Sequence, residues 1–344
     1  MSFLKWSYPN KPVDGYWGPT TSIIDWCEEN YVVSPYIAEW SNTISNSMFL
    51  LTATYSTWCA YRNGLEFRFL LIGLGFALVG VGSWLFHMTL KYRFQLLDEL
   101  PMVYATSIPA WSVFCEFNWK TWRAKTKQAS KKRQLLFALT VFSFTTILTY
   151  MYLVWHVVLL FQVLYGILTL TVVAISSSFA IFLETKDPLV KKNLYTTMGM
   201  GIITFSLGFI FWELDQLFCP LWIHIRRDYL KLPLGVLLEL HGWWHLLTGI
   251  GVYSYLVFLH YLRVLNLQQG DQFTFIWRWG VIPEIIKNDL AINTNYSLTF
   301  WGPFEKEKNI DGHRSIPNDN GSNANSNTKT NSSSNSNSNT ETQG

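Results

Sequence analysis

The amino-acid sequence predicts an all-α membrane protein, a bundle of seven transmembrane helices with a lumenal N-terminus and a cytosolic C-terminus. The first observation is composition: 49% of the 344 residues are hydrophobic and only 14% are charged, against about 25% charged in a soluble domain. The second is a series of long stretches without Asp, Glu, Lys or Arg. The third is an uneven distribution of Lys and Arg between alternate loops. These features exclude a soluble two-domain enzyme, a disordered protein and a nucleic-acid binder.

The uncharged stretches give the order of the helices, because a bilayer span needs about 20 mostly apolar residues. The predicted spans are residues 43–61, 69–90, about 97–115, two spans within 135–183, about 194–218 and about 233–262. Residues 135–183 contain no charged side chain. A helix rises only about 1.5 Å per residue, so this stretch is too long for one span and we expect a turn near Trp155–His156.

The basic residues set the predicted orientation, since cytosolic loops are enriched in Lys and Arg. Loop 118–134 carries seven basic residues and no acid, and loop 184–193 carries three lysines. With seven spans, both loops lie on the same side as the C-terminus. The opposite loops hold fewer cations, among them Arg226 and Arg227.

Four regions follow from these spans. Residues 1–42 form a lumenal segment, 43–265 the catalytic bundle, 266–308 a cytosolic juxtamembrane segment, and 309–344 a tail rich in Asn, Ser and Thr. Such a tail cannot bury an apolar core, so we expect it to be disordered. The first residues lack a basic region followed by an apolar core, and we therefore expect no cleaved signal peptide.

Three histidines are predicted to lie inside the membrane at one depth, where ionisable groups are costly and often functional. His241 and His245 are four residues apart and share one face of the last helix. That spacing alone is weak support for a metal, but His87, near the end of the second helix, falls at the same lumenal level. Three imidazoles suit Zn²⁺ with a fourth position left open. The other histidines are expected to be interfacial or solvated: His156, His224, His260 and His313.

Ser83 and Asp98 are predicted to lie near these histidines. Ser83 is one helical turn before His87, although a hydroxyl in a membrane helix commonly bonds back to its own backbone. Asp98 is expected to open the third helix, where the helix dipole alone would favour a carboxylate. Beside a metal-activated water it would instead act as general base and then general acid. Glu99 is expected to be interfacial.

Acidic residues also crowd the segment before the first helix, in Asp25-Trp-Cys-Glu-Glu-Asn and in Ala38-Glu39-Trp. Carboxylates and carbonyls at this density suit Ca²⁺, and a solvated acidic loop is the alternative. Cys27 and Cys219 both fall on the lumenal side, which is compatible with a single disulfide.

Five segments, in order and spacing, resemble the alkaline ceramidases, which are heptahelical membrane amidases related to the adiponectin receptors. The segments are Asp25-Trp-Cys-Glu-Glu-Asn-Tyr, Ala38-Glu-Trp-Ser-Asn-Thr, Gly82-Ser-Trp-Leu-Phe-His-Met-Thr-Leu-Lys-Tyr, Gln95-Leu-Leu-Asp-Glu-Leu-Pro-Met and His241-Gly-Trp-Trp-His. The resemblance covers about residues 10–265, and residues around 271–310 are expected to lie outside it.

The resemblance implies both metals and the disulfide. It assigns Zn²⁺ to His87, His241 and His245, with Ser83 and Asp98 beside the catalytic water. It assigns Ca²⁺ to the side chains of Asp25, Glu28 and Glu39 and to main-chain oxygens of Trp26 and Asn30. It also implies a bond between Cys27 and Cys219.

The implied reaction is hydrolysis of a ceramide, dihydroceramide or phytoceramide to a sphingoid base and a free fatty acid, in the endoplasmic reticulum or Golgi membrane. Two alternatives remain open on the residues. One is a heptahelical lipid receptor or scaffold with structural zinc, and the other is a zinc acyl hydrolase of a different lipid. The acidic cluster with Cys27 favours the ceramidase over the receptor.

Overall fold

A computed structural model of the chain describes residues 6–11, 13–125 and 129–288. The helices are α1 Trp40–Arg62, α2 Phe67–Thr89, α3 Tyr92–Glu116, α4 Lys131–Trp155, α5 Val158–Ile181, α6 Pro188–Leu217, α7 Cys219–Ile225 and α8 Leu240–Asn266. The strands are β1 Phe117–Asn118, β2 Arg123–Ala124, β3 Phe273–Arg278 and β4 Ile282–Lys287. The predicted disordered tail 309–344 and residues 289–308 of the predicted juxtamembrane segment lie outside the described residues.

The chain is a multi-pass, all-α membrane protein. In the described part of the chain, five helices are long and apolar enough to cross a bilayer: α2, α4, α5, α6 and α8. Helices α1 and α3 match them in length, with 23 and 25 residues, but carry more polar side chains. The predicted turn between α4 and α5 is confirmed, since His156 ends α4 in the left-handed region with φ 52°.

Helix α8 lies at the centre of the bundle. In the most apolar 18-residue stretch of α8, 72% of the residues are buried, whereas the corresponding share in α4, α5 and α6 is 22%. Helix α6 packs along α8, α1 packs against α2 and α8, and α3 packs against α2. Gly251 lets α6 and α8 approach closely, because a Cβ at this position would lie 2.9 Å from the backbone nitrogen of Phe205. The poorly buried helices leave their apolar sides for lipid.

A β-hairpin closes the end of the bundle where α1 and α8 finish. Strands β3 and β4 are antiparallel, and β4 packs against both helices. Glu284 of β4 is fully buried. It pairs with Arg62 and with Arg278 and accepts a hydrogen bond from the Tyr55 hydroxyl at 3.1 Å. No element was predicted here, so this part of the juxtamembrane segment is more ordered than the sequence indicates.

The same end contains a buried ionic cluster of two carboxylates and two guanidinium groups, hereafter the ionic cluster. Its members are Glu66, Arg68, Glu116 and Arg263. Arg263 contacts Glu66 at 3.0 Å and Glu116 at 2.9 Å. The charges therefore compensate one another inside the protein, as buried charges must.

Two of the four histidines expected to be solvated, His156 and His224, are exposed. The prediction for His260 is wrong, because only 2% of its surface is exposed and its ring lies edge-on to Phe69 with 4.7 Å between centroids. The central position of α8 buries it. His313 lies outside the described residues.

Candidate metal centre

The N-terminal segment covers the other end of the bundle and is held there covalently. Cys27 and Cys219 form a disulfide, with 5.4 Å between their Cα atoms. Arg226 is fully buried, pairs with Glu239 and donates from Nη2 to the carbonyl oxygen of Cys27 at 2.7 Å. The segment containing the predicted calcium ligands is thus fixed against the connection between α7 and α8.

Three histidines converge beneath this cover. His87, His241 and His245 each offer a ring nitrogen, and these atoms all lie within 4.8 Å of one another. The rings of His87 and His245 are 4.9 Å apart, and those of His241 and His245 are 4.6 Å apart. All three are buried, with 1%, 3% and 5% exposure. His87 of α2 therefore meets His241 and His245 of α8, as the sequence predicts, and the three form a group that could hold a metal ion.

Capping interactions fix the start of α8, which carries His241 and His245, and the start of α1, which packs against α8. Asp215 accepts a hydrogen bond from the backbone nitrogen of Leu240 at 3.1 Å, which anchors the start of α8 one residue before His241. Glu28 accepts from the backbone nitrogens of Ser41 and Asn42 at 2.6 and 2.8 Å, which satisfies the first turn of α1. Neither cap is predictable from the sequence, because each joins residues that are distant along the chain.

Two of the three histidines have their second ring nitrogen hydrogen-bonded, as is usual for metal ligands. Nδ1 of His87 lies 2.5 Å from Oε2 of Glu39. Nδ1 of His245 lies 2.9 Å from the hydroxyl oxygen of Ser45. Nδ1 of His241 is buried and has no hydrogen-bond partner among the described residues. The cluster therefore has the chemistry of a metal site, and sequence reasoning missed the orienting contacts of Glu39 and Ser45.

Trp26 closes the cluster from the N-terminal segment. Its ring stacks on His241 with centroids 4.1 Å apart and an angle of 21° between the planes. It also lies 5.9 Å from the ring of Trp212 in α6. Aromatic cover of this kind limits the access of water to the three histidines.

Ser83 and Asp98 meet between α2 and α3. The Ser83 side chain lies beside the Asp98 carboxylate. Gly82 makes this approach feasible, because a Cβ there would lie 2.0 Å from the carbonyl oxygen of Leu97. The expectation that Asp98 opens the third helix is wrong: α3 begins at Tyr92. Asp98 consequently lies inside α3, beside Ser83 of α2.

Glu99 is buried, with 7% of its surface exposed, so the interfacial prediction is wrong. Its Oε2 accepts hydrogen bonds from the Tyr152 hydroxyl and from Nε2 of Gln95, the latter at 3.1 Å. Gln95 in turn accepts from the backbone nitrogen of Ile23 at 2.8 Å. This network links α3 and α4 to the N-terminal segment one residue away from Asp98.

The acidic cluster is crowded and partly desolvated. Burial raises the pKa of Asp25. Burial, followed by the negative charge of Glu39, raises the pKa of Glu28 to about 8. Among the described residues, the three histidines are the only group of three or more His, Cys, Asp or Glu side chains whose ligand atoms all lie within 4.8 Å of one another, so these carboxylates do not converge in the same way.

Several oxygens near the acidic cluster lack a partner among the described residues. They are Oε1 of Glu39, Oδ1 of Asn30 and Oδ1 of Asn42, and all three are buried. Buried acceptors are normally paired. These oxygen atoms lie beside carboxylates whose pKa is raised, and oxygen atoms are the ligands that a hard cation such as Ca²⁺ prefers.

A family model named Ceramidase matches residues 18–286 of the chain. The chain belongs to the ceramidase family. It is 50% identical to the alkaline ceramidase YPC1 of Saccharomyces cerevisiae over 312 residues, covering 90% of this chain and 98% of that protein. It is 39% identical to alkaline ceramidase 3 of Mus musculus over 274 residues, covering 79% of this chain and 94% of that protein.

Membership of this family makes the chain an enzyme of the amidohydrolase class, as the sequence resemblance implies. An alkaline ceramidase of Arabidopsis thaliana is also similar, with 27% identity over 273 residues that cover 79% of this chain and 95% of that protein. The match to the family model extends through most of β4. The expected limit near residue 265 is therefore wrong, and the β-hairpin is part of the family fold.

Proposed function

We propose that this ceramidase hydrolyses the amide bond of ceramide, dihydroceramide or phytoceramide to a sphingoid base and a free fatty acid. One observation carries the proposal: three buried histidines converge one helical turn from Ser83, whose side chain lies beside the Asp98 carboxylate. The ceramidases to which the chain is similar support the choice of substrate. A lipid with two long chains stays in the bilayer, so a site between membrane helices is where such an amide would be reached.

The proposal assigns Zn²⁺ to His87, His241 and His245. Three imidazoles are a known donor set for catalytic zinc, and the unpartnered Nδ1 of His241 is consistent with a site built around an ion. When bound, Zn²⁺ would supply Lewis-acid polarisation of water or of the substrate carbonyl. Glu39 and Ser45 would hold the rings of His87 and His245 in the orientation that ligation requires.

Asp98 moves the proton in this account. Its carboxylate accepts a proton from the attacking water and returns it to the nitrogen of the departing sphingoid base. The Ser83 hydroxyl, which contacts Asp98 in the structure, turns toward the carbonyl oxygen and donates to the developing oxyanion. Trp26 and the N-terminal segment keep bulk water away from these groups.

The acidic cluster is assigned to Ca²⁺, with side chains from Asp25, Glu28 and Glu39 and main-chain oxygens from Trp26 and Asn30. A divalent cation would offset the burial and the repulsion from Glu39 that together raise the pKa of Glu28, and it would use the unpartnered oxygen of Glu39. Since Glu39 also contacts His87, calcium would act on the reaction by fixing a ligand of the other metal. Its role would be structural or regulatory.

All seven long helices are proposed to cross the membrane, α1 and α3 included, because both pack against candidate spans along their length. The lysines and arginines between α3 and α4 and between α5 and α6 favour a cytosolic C-terminus and a lumenal position for the histidines. The endoplasmic reticulum or the Golgi is the proposed membrane.

The test is hydrolysis by detergent-purified protein of a ceramide and of a phospholipid, each with and without a zinc chelator. We expect fatty acid from ceramide alone and its loss on chelation. Release from phospholipid alone would favour another zinc acyl hydrolase. Release from neither substrate would favour a receptor or scaffold with structural zinc.

A further inference from the structure

A cleft of about 460 Å³ lies between strand β2 and the connection from α5 to α6. It is at the end of the bundle away from the histidines. The last turns of α5 form part of it, and there the ring of Phe179 lies 6.0 Å from the ring of Phe117, the residue that follows α3. Its volume falls within the range of about 300–1,000 Å³ that small-molecule sites occupy. Nothing in the proposed hydrolysis uses it.

The polar side of this cleft is cationic. Its lining includes Arg123, Lys186 and Lys191, with Glu184 as the one carboxylate. Arg123 pairs with Glu184, and both side chains remain exposed. Within the ranges that the structure describes, neither Lys186 nor Lys191 has an ion-pair partner. Two positive charges therefore face the cleft without compensation.

The other side of the cleft is apolar and lies at a membrane boundary. Ile181 and Phe182 end α5 and are 54% and 43% exposed. Helices α5 and α6, which meet here, are both candidate membrane spans. A neighbouring turn between β1 and β2 exposes Trp119 and Trp122 by 60% and 58%, as is typical of residues at the level of lipid headgroups.

We propose that this cleft binds the phosphate-bearing headgroup of an anionic membrane lipid. Lys186 and Lys191 would contact the phosphate oxygens, and the acyl chains would leave along Ile181 and Phe182. Basic pockets beside membrane helices recognise such headgroups. The combination of cations with exposed apolar side chains favours a lipid over a free anion, because a free anion would gain nothing from Ile181 and Phe182.

The experiment measures binding of dioctanoyl phosphatidylinositol 4-phosphate to the purified full-length protein in a neutral detergent. The test variant is Lys186→Glu with Lys191→Glu. The matched control is Lys131→Glu with Lys132→Glu, an exposed lysine pair at the start of α4 that does not line the cleft. Both variants change the net charge equally, and ceramide hydrolysis and the melting temperature check that each remains folded.

We expect the cleft variant to weaken lipid binding about tenfold or more and the control to change it by less than about threefold, given the contribution of each lysine near an anionic surface. Equal weakening by both variants would mean a general charge effect and would overturn the proposal. Inorganic phosphate that binds as tightly as the lipid would assign the cleft to a free anion and would overturn it as well.

Discussion

The two ends of this helical bundle both bury charged or polar side chains, but they satisfy them differently. At one end, Glu66, Arg68, Glu116 and Arg263 pair with one another. At the other end, the histidines meet beside carboxylates, and buried atoms such as Nδ1 of His241 and Oε1 of Glu39 have no partner among the described residues. Burial alone therefore does not mark the functional end.

The difference indicates what each end does. The opposite charges of the ionic cluster hold α2, α3 and α8 together. Unpartnered buried acceptors are costly in an apolar environment, and at the histidine end they lie beside three converging imidazoles, where a bound cation would complete them. We infer that the histidine end is built to receive cations and that the ionic cluster is structural.

The largest effect on activity is expected from Asp98→Asn. Loss of the proposed proton carrier should lower kcat for ceramide about 10²–10⁴-fold, while the histidines still bind metal. Steady-state turnover and metal content of the same preparation check this. Wild-type turnover by the variant would remove Asp98 from the mechanism.

Gly82→Ala should separate α2 from α3, because the new Cβ would lie 2.0 Å from the Leu97 carbonyl oxygen. We expect a loss of about 1–3 kcal/mol in stability from overpacking and about 10²-fold in kcat from displacement of Ser83 relative to Asp98. The control is Gly166→Ala in α5, where a Cβ meets nothing within 4 Å. If both variants behave alike in melting and turnover, the close contact at Gly82 is not what aligns the pair.

Glu39→Gln should weaken zinc binding about 10–100-fold, because it removes the charge that orients His87. Glu28→Gln is the matched control, since Glu28 belongs to the same acidic cluster but accepts its hydrogen bonds from the backbone of α1. Zinc affinities from competition with a chelator measure both. Equal losses would show that the acidic cluster acts as a whole rather than through Glu39.

The smallest effect on catalysis is expected at the opposite end. Glu66→Gln removes a fully buried carboxylate from two guanidinium groups, which should cost about 3–5 kcal/mol of stability. The exposed pair of Arg123 with Glu184 provides the control, and Glu184→Gln should cost less than about 1 kcal/mol. Metal content should not change in either variant. Loss of metal in Glu66→Gln would break the distinction between the two ends.

The sequence allowed the helices and the metal-binding group to be predicted. The absence of charge over 135–183 was sufficient to require the turn at His156, because helix rise and bilayer thickness are fixed. The spacing of His241 and His245, with His87 at the same depth, was sufficient to bring three histidines together. These predictions depend on periodicity and length, which are local properties of the chain.

The contacts that support the site could not be predicted. The sequence predicts Glu39 as a calcium ligand only, yet it also contacts His87. Arg226 was counted only as a loop charge, yet it is fully buried against Glu239. Each contact depends on how distant segments pack, and a single sequence contains no periodic signal for that.

The three converging histidines are proposed to form a metal centre on which the reaction depends. The most direct measurement is the zinc content per chain of purified protein, together with ceramide turnover, for wild type, His241→Ala and His260→Ala. His260 is a matched control because it is equally buried in α8 but packs against Phe69. We predict one zinc per chain and full turnover in wild type and His260→Ala, and loss of both in folded His241→Ala. Undiminished turnover by metal-free His241→Ala would contradict the claim.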